Sequence, residues 1–203
     1  MFYGGCGEVV NTPDCGSGTR EFDSRTSPHI GINELIYMGS FYNIKYNGGI
    51  KMEFIKVKDD YHANLCDELL TELIQSERKF DNNVKETFIV KDMYKNKYKE
   101  DYNCLILAMA EDAPIAFVFG YMKFEQGDFC YHSTAHINSL YVKPQFRNKG
   151  IAGKLIVEFT NWCNNKNIKE IEIGVFKENS PAYNLYKKMG FIDTTIYMNK
   201  KLI

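Results

Sequence analysis

From Met52 onward, apolar positions follow the periods of strands and helices. Six apolar or alternating runs predict strands, the second and third joined as a hairpin: 54–57, 104–111, 115–124, 135–142, 168–175 and 191–198. Helical spacing predicts one helix after the capping residues Asp59 and Asp60, others over 150–164 and 179–189, and a weaker one over 88–98. Because strands and helices alternate in the later half, we expect an α/β fold with a mixed, partly parallel sheet.

The first 51 residues have a different pattern. Nine of the fifteen glycines precede Lys51, and residues 1–31 carry turn-forming residues with no helical or alternating period. Residues 32–47 contain only one short apolar stretch. We therefore expect a disordered leader over 1–51 and a folded domain over 52–203.

Two interpretations of this leader stay open: a native extension that modulates substrate use, or a segment that is not native to the functional protein. Back-translation favours the second. The codons of residues 7–9 can be chosen to be complementary to those of residues 26–28, which gives one stem. The codons of 13–18 and those of 21–25 can each form a further stem. The three stems follow the order of the arms of a transfer-RNA gene. We hypothesise that residues 1–29 derive from translation through such a gene and that Met52 is the functional start, which the coding DNA would test.

Composition narrows the classes of function. The 203 residues carry a net charge of −1, which gives no electrostatic basis for binding nucleic acid or an anionic membrane. No apolar run approaches the roughly 18–20 residues of a spanning helix, and the first residues lack the features of a signal peptide. The six cysteines include no C-x-x-C pair, which favours a reduced, cytoplasmic location over a disulfide framework.

The connection after the predicted strand 135–142 has the pattern of an anion site. A loop leads into a helix that begins in a glycine-bearing segment, and backbone N–H groups at a helix start are unpaired and lie at the positive end of the helix dipole. Gly150 allows a ligand to approach the backbone, and Arg147 and Lys149 add positive charge. The alternative is an ordinary strand–loop–helix connection with solvated basic residues.

A second motif over 179–191, together with this first one, resembles the GNAT superfamily of N-acetyltransferases. The first has the form R-x-x-G-x-A and the second N-x-x-A-x-x-x-Y-x-x-x-G-F; they are carried by Arg147, Gly150 and Ala152, and by Asn179, Ala182, Tyr186, Gly190 and Phe191. The resemblance covers about residues 53–198. It implies a GNAT fold, in which helices flank a mixed sheet of six to seven strands and the two central strands splay apart in a V.

The resemblance also implies acetyl-CoA as co-substrate. The backbone of Leu140, Tyr141 and Val142 would hold the pantetheine arm, and an N–H near Leu140 would polarise the thioester carbonyl. Asn179 would hydrogen-bond the pantetheine or frame its pocket. The backbone amides of the loop and helix start would hold the pyrophosphate: Arg147, Asn148, Lys149, Gly150, Ile151, Ala152 and Gly153.

Two side chains are the implied catalytic groups. Tyr186 would protonate the departing thiolate, because a phenol with a pKa near about 10 is protonated at neutral pH. His136 occupies the place at which many members of the family carry a basic Glu or His, and its imidazole suits that role; a water chain is the alternative. Cys130, His132 and His136 are residue types that can bind a metal ion. On a strand, however, the imidazoles of His132 and His136 lie about 13 Å apart, so we expect no metal.

The predicted function is transfer of an acetyl group from acetyl-CoA to a primary amine, by direct attack in a ternary complex. The acceptor is left open between a polyamine-like or drug-like small molecule, an amino acid and a protein amine. Residues 77–103 match the family's variable helical region, which shapes the acceptor pocket. The competing interpretation is a catalytically silent acyl-CoA-binding sensor or interaction module. A homodimer also stays open, and no nucleic-acid or membrane partner is expected.

Overall fold

The computed structural model describes residues 42–45, 51–81, 83–123, 133–200 and 202. Six strands form one sheet in sequence order, with every neighbouring pair antiparallel except the last, which is parallel. The strands are β1 (Tyr42–Lys45), β2 (Lys51–Lys56), β3 (Asn103–Ala110), β4 (Ala113–Lys123), β5 (Thr134–Val142) and β6 (Glu170–Ile173). The helices are α1 (Asp60–Glu77), α2 (Ile151–Asn165) and α3 (Ser180–Lys188), with short 3₁₀ turns at Lys97–Lys99 and Pro144–Phe146. This confirms the predicted mixed α/β fold.

The sheet is buried on both faces by helices. All eight residues of β3 are buried, as expected for a strand that has helices on both sides. Leu155 and Phe159 of α2 belong to the apolar cluster on one face, whereas Cys66 and Leu69 of α1 belong to the cluster on the other face. Helix α1, the sheet and helix α2 therefore form three layers, and the ends of β5 and β6 lie in the central layer.

The predicted splay lies between β5 and β6. These strands pair only over their first four residues, from Thr134 with Glu170 to Ile137 with Ile173. β6 ends there, while β5 continues to Val142. The later half of β5 is thus left without a β6 partner, which opens the V-shaped gap that the GNAT fold implies.

The sheet has six strands, but one predicted strand is absent and one strand that was not predicted is present. The predicted strand over 191–198 is absent: residues 191–200 form no strand, and Ile196, Tyr197 and Met198 are exposed rather than alternating in burial. The sheet instead includes β1, which lies in the predicted leader and pairs antiparallel with β2 at four positions. Residues 42–45 of the predicted leader therefore form a strand, and the boundary between leader and domain stays a prediction.

The rest of the predicted leader, residues 1–41 and 46–50, lies outside the described residues. The transfer-RNA hypothesis for residues 1–29 and the functional start at Met52 therefore stay predictions.

The weak helix predicted over 88–98 is wrong; this segment is irregular apart from the 3₁₀ turn Lys97–Lys99. Its backbone is held by a side chain of α1. The buried carboxylate of Asp67 accepts hydrogen bonds from the N–H groups of Met93 at 3.1 Å and of Tyr94 at 3.2 Å. Because this side chain satisfies two donors, the segment does not require helical hydrogen bonds there.

The start of α1 and the end of α3 match the capping residues that the sequence predicts. Asp59 caps α1 by accepting a hydrogen bond from the N–H of His62 at 2.9 Å, and Gly190 follows α3 with a φ of 90°. Of the helices the structure describes, none combines the length and apolar character needed to cross a bilayer.

Candidate functional site

A β-bulge in β5 lies beside the splay. Phe119 of β4 pairs with Ser139, but the next residue, Gly120, pairs with Ile137, so Asn138 is the extra residue. On the α2 side of the sheet, the apolar side chains of β5 that flank the bulge are the buried Ile137 before it and the partly buried Leu140 after it. Asn138 is left out of the hydrogen-bond ladder with β4, and it comes directly after Ile137, the last residue of β5 that pairs with β6.

The side chains of Leu140 and Val142 do not face such a ligand. Both pack against the apolar cluster that α2 covers. Any contact of these two residues with a ligand would therefore come from their backbone N–H and C=O groups, and their predicted role in binding stays a prediction.

The start of α2 has the geometry of an anion site. Gly150 is the N-cap residue with φ 77° and ψ 0°, and Asn148 also has a positive φ of 60°. No side chain caps the helix, and its first turn contains no acidic residue. The first-turn N–H groups of Ile151, Ala152 and Gly153 have no partner within a helix, and the helix dipole favours negative charge beside them.

Arg147 is held at the end of β5 by several contacts. Its Nε donates to the carbonyl oxygen of Val142 at 3.0 Å, and its guanidinium lies 5.8 Å from the centre of the Tyr141 ring. The Tyr141 hydroxyl donates to Oε2 of Glu72 at 3.1 Å, and Lys143 pairs with the other oxygen of Glu72 at 3.4 Å. A helix α1 carboxylate thereby fixes the aromatic ring on which Arg147 rests.

Burial, and then the charge of Glu72, raise the pKa of Tyr141 to about 12. The Tyr141 phenol therefore stays protonated at neutral pH and keeps donating to Glu72. Lys149, the other basic residue of the predicted loop, lies with Nζ 5.2 Å from the centre of the Phe146 ring. The side chain of Lys149 is exposed, so its charge lies at the surface of the loop.

Tyr186 lies on α3 and is 9% exposed. Its ring packs edge-on against Phe191, with 5.9 Å between ring centres. Burial, and then the negative charge of Glu77 at the end of α1, raise the pKa of Tyr186 to about 12. The hydroxyl is therefore protonated at neutral pH, which is the state a general acid needs.

Asn179 is the N-cap residue of α3. Its Oδ1 accepts a hydrogen bond from the N–H of Ala182 at 3.4 Å, and its own N–H donates to the carbonyl oxygen of Phe176 at 2.8 Å. This capping role was missed by the sequence reasoning. The capping bond uses one lone pair of Oδ1, and the Nδ2 donor makes no hydrogen bond to another described residue.

His136 lies on β5 beside the bulge, with a quarter of its side chain exposed (26%). Its Nδ1 is 3.1 Å from Oε1 of Glu172 on β6, and that oxygen is also 3.1 Å from Nζ of Lys123. The Tyr121 ring packs against the imidazole, with 5.5 Å between centres. If Nδ1 donates to Glu172, Nε2 of the neutral ring is the acceptor, as a base requires.

The sequence reasoning missed Glu172 because a polar residue on a short edge strand gives no signal of its partner. For the metal question, Cys130 and His132 lie outside the described residues. In the described part of the chain, no group of three or more His, Cys, Asp or Glu side chains is arranged to hold a metal ion.

A groove of about 360 Å³ lies on the α1 side of the sheet, next to His136. It is lined by Asn96, Lys97, Glu100, Tyr102, Asn103, Phe119 and Tyr121. Five of these residues fall within 77–103, the stretch that the sequence predicts to shape the acceptor pocket. The remaining two come from β4, and Tyr121 joins the groove to His136.

The chain matches the family model described as Acetyltransferase (GNAT) family over residues 68–191. This range begins in α1 and extends just past α3, so it contains the splay, the bulge, the start of α2 and both predicted catalytic residues.

Three relatives match shorter parts of the chain. The aminoglycoside N(6')-acetyltransferase type 1 of Salmonella typhimurium is 26% identical over 95 residues, 46% of this chain and 66% of that protein. The thialysine N-epsilon-acetyltransferase of Mus musculus is 35% identical over 60 residues, 30% and 35% of the two chains. The L-amino acid N-acetyltransferase of Escherichia coli is 39% identical over 51 residues, 25% and 32%. The chain spans less than two thirds of each relative's length.

Solved structures share the fold. A Bacillus halodurans protein variant superposes with a TM-score of 0.66 at 13% identity, covering 74% of this chain and 99% of the other. The aminoglycoside N-acetyltransferase AAC(6')-Iy in complex with the bisubstrate analogue CoA-S-monomethyl-acetylneamine gives a TM-score of 0.55 at 18% identity, with the same coverage.

Proposed function

The chain belongs to the GNAT acetyltransferase family and is an acyltransferase, and from that premise we propose that it moves the acetyl group of acetyl-CoA to a primary amine by direct attack in a ternary complex. The observation that carries the proposal is the start of α2, an uncapped helix N-terminus beside an open splay. We place the transferase domain at residues 52–203, with β1 as an additional strand of its sheet. We also propose that the protein is located in the cytoplasm.

The binding step uses backbone groups more than side chains. The pyrophosphate would accept hydrogen bonds from the N–H groups of the loop and first turn of α2, with Arg147 and Lys149 adding charge. The pantetheine arm would lie along the unpaired half of β5, where peptide groups of Leu140 to Val142 replace a strand partner. Holding both reactants in register supplies much of the rate.

In the chemical step, the neutral amine nitrogen attacks the thioester carbonyl carbon and a nitrogen–carbon bond forms. An N–H beside the bulge, near Leu140, would stabilise the negative charge on the carbonyl oxygen. The carbon–sulfur bond then breaks, and the thiolate takes the proton of the Tyr186 hydroxyl. The products are an acetamide and CoA with a free thiol.

We assign the proton of the attacking amine to Nε2 of His136, directly or through one water. The contact of Nδ1 with Glu172 supports this assignment, because it orients the ring and leaves Nε2 as the acceptor. Lys123 shares the same Glu172 oxygen, so it competes with the imidazole for that carboxylate.

The acceptor is proposed to be a small amine. The relatives' names include aminoglycoside, thialysine and L-amino acid acetyltransferases, which share an accessible amine rather than one scaffold. The open groove on the α1 side is of a size suited to a small molecule.

Release of free CoA thiol tests the function. The purified full chain is mixed with acetyl-CoA and, separately, kanamycin, spermidine, L-lysine and a lysine-containing peptide. We expect thiol release above the hydrolysis background with at least one amine and an increase in thermal stability with acetyl-CoA alone. Thermal stabilisation without turnover of any amine would favour the silent binding module, and the absence of both would overturn the proposal.

A further inference from the structure

The groove next to His136 has two charges that the described protein leaves unmatched. Lys97 places Nζ 5.3 Å from the centre of the Phe119 ring, over the groove floor. Among the residues that the structure describes, no carboxylate lies within ion-pair distance of Lys97, and no cation lies within that distance of Glu100. Both side chains line the same groove.

Their spacing explains why both face the groove. Lys97 begins the 3₁₀ turn Lys97–Lys99 and Glu100 is its C-terminal cap residue, so the two are three residues apart. Side chains at that spacing are nearly eclipsed in a 3₁₀ turn. The N–H of Glu100 and Nδ2 of Asn103 both donate to the carbonyl oxygen of Lys97, at 3.3 Å and 2.8 Å, which fixes the turn against the start of β3.

Lys99 serves as the contrast within the same turn. It lies outside the groove lining, with its ammonium 3.9 Å from a carboxylate oxygen of Asp60 and 3.5 Å from Oδ1 of Asn96. The turn thus presents one lysine to neighbouring acidic and amide oxygens and the other, Lys97, to the groove.

Aromatic rings connect this charged end to the predicted base. The Phe119 ring lies 6.2 Å from the Tyr121 ring, and Tyr121 lies 5.5 Å from the His136 ring. A flexible alkyl chain bound along these rings would bury apolar surface. It would carry a terminal group from Lys97 toward His136.

We propose that this groove binds the α-carboxylate and α-ammonium groups of a diamino acid, and that the side-chain amine of that acid is the acetyl acceptor. Lys97 pairs with the carboxylate, Glu100 pairs with the α-ammonium, and the alkyl chain lies along Phe119 and Tyr121. The proposal rests on the proposed acetyltransferase function and names its substrate class.

The balance of the reaction is that of the proposed function. The side-chain amine loses a proton to His136 or water and forms the nitrogen–carbon bond, while the carbon–sulfur bond of acetyl-CoA breaks and the thiolate is protonated. The α-ammonium stays protonated beside Glu100. The product is therefore acetylated on the side chain only, which mass spectrometry of fragments distinguishes from acetylation at the α-nitrogen.

Three matched amines test the recognition. L-lysine carries all three groups, cadaverine lacks the carboxylate, and 6-aminohexanoate lacks the α-ammonium; L-ornithine tests a shorter chain. We expect L-lysine or L-ornithine to exceed the two truncated amines in kcat/KM by about tenfold or more, because each lost charge leaves a groove residue unpaired. Equal kcat/KM for the diamino acids and cadaverine would overturn the proposal.

Variants assign each contact. Lys97→Gln should lower the lysine-to-cadaverine ratio of kcat/KM, and Glu100→Gln should lower the lysine-to-6-aminohexanoate ratio. Lys99→Gln, in the same turn, should leave both ratios unchanged. Identical behaviour of the Lys97 and Lys99 variants contradicts the assignment.

Calorimetric binding of the same amines, with acetyl-CoA absent, separates this inference from the proposed function. If no amine is acetylated but L-lysine or L-ornithine binds more tightly than cadaverine in a Lys97-dependent manner, the groove assignment stands and the transferase proposal fails. If an aminoglycoside is acetylated and no diamino acid binds, the groove assignment fails and the transferase proposal stands.

Discussion

At the scale of single residues, the predicted acid and base have opposite surroundings. Tyr186 is almost fully buried on α3, and burial raises its pKa to about 12. His136 is partly exposed on β5 and contacts the carboxylate of Glu172. Burial favours the neutral phenol that an acid needs, and the contact with Glu172 orients the imidazole so that Nε2 can serve as the acceptor that a base needs.

Tyr186→Phe tests the acid. We expect kcat to fall by about a hundredfold or more, since general acids contribute roughly that amount. The ring should still pack on Phe191, so the thermal stabilisation by acetyl-CoA should be retained. Unchanged kcat would remove Tyr186 from the chemical step, whereas loss of stabilisation would show that the ring, rather than its hydroxyl, is what matters.

The pH profile of wild-type kcat provides a second measurement of the same group. An acid must be protonated to act, so its rate falls as pH rises through its pKa. With the pKa of Tyr186 raised from 10 to about 12, we expect no loss of kcat from this group between pH 8 and 10. A decline centred near pH 10, absent from the Phe variant, would contradict the burial that raises this pKa.

Gly120 shows why the bulge requires a residue without a side chain. A Cβ added there would lie 2.5 Å from two carbons of the Phe159 ring and 2.6 Å from the backbone oxygen of His136. We expect Gly120→Ala to lower the free energy of unfolding by about 1–3 kcal/mol, as other overpacked cores do. Gly174→Ala, where a Cβ meets nothing within 4 Å, is the control. Equal urea midpoints for the two variants would contradict this packing argument.

At the scale of elements, the sequence predicted regular segments and failed where side chains from elsewhere decide the backbone. The helical period of α2 and the continuous apolar runs of β3 and β4 are local, so the pattern located them within a few residues. The irregular segment that includes Met93 depends on Asp67, 26 residues earlier, and no local period records that contact. β1 likewise exists by pairing with β2 rather than by its own pattern.

The same distinction applies to the candidate site. The two motifs located the start of α2 and Tyr186 because each is a short local pattern of residues at fixed spacing within the chain. The partners Glu72 and Glu172 could not be predicted, since each reaches the site from another element only after folding. The groove was predicted only as a stretch, 77–103, without Lys97 or Glu100 being distinguished from its other charged residues.

Asp67→Ala tests the link between α1 and the segment beyond it. Removal of the carboxylate leaves the N–H groups of Met93 and Tyr94 without their acceptor, at a cost of about 1–3 kcal/mol for the buried donor of Tyr94. We expect a lower urea midpoint and faster hydrogen exchange at both amides. Glu68→Ala, at the exposed neighbouring position of the same helix, is the matched control. Protection of the two amides that equals wild type would contradict the role of Asp67.

At the scale of the whole molecule, a net charge of −1 gives no long-range attraction for an anionic co-substrate. Binding must then depend on short-range groups: the N–H donors at the start of α2, the dipole of that helix, and a few local cations. Among these cations, Arg147 is the most constrained, because Val142 and Tyr141 both hold it. We therefore expect the affinity for acetyl-CoA to be concentrated in this loop.

Arg147→Ala tests this concentration. Acetyl-CoA at about a hundred times its Kd should stabilise the wild-type chain by about 2.7 kcal/mol. We expect the variant to lose roughly tenfold in affinity, corresponding to one charge-assisted contact of about 1.4 kcal/mol. Lys91→Ala removes an exposed cation from the segment that follows α1 and should leave the thermal shift unchanged. Equal thermal shifts for the two variants would show that the charge of Arg147 adds nothing to the anion site. The backbone donors would then hold the pyrophosphate without Arg147.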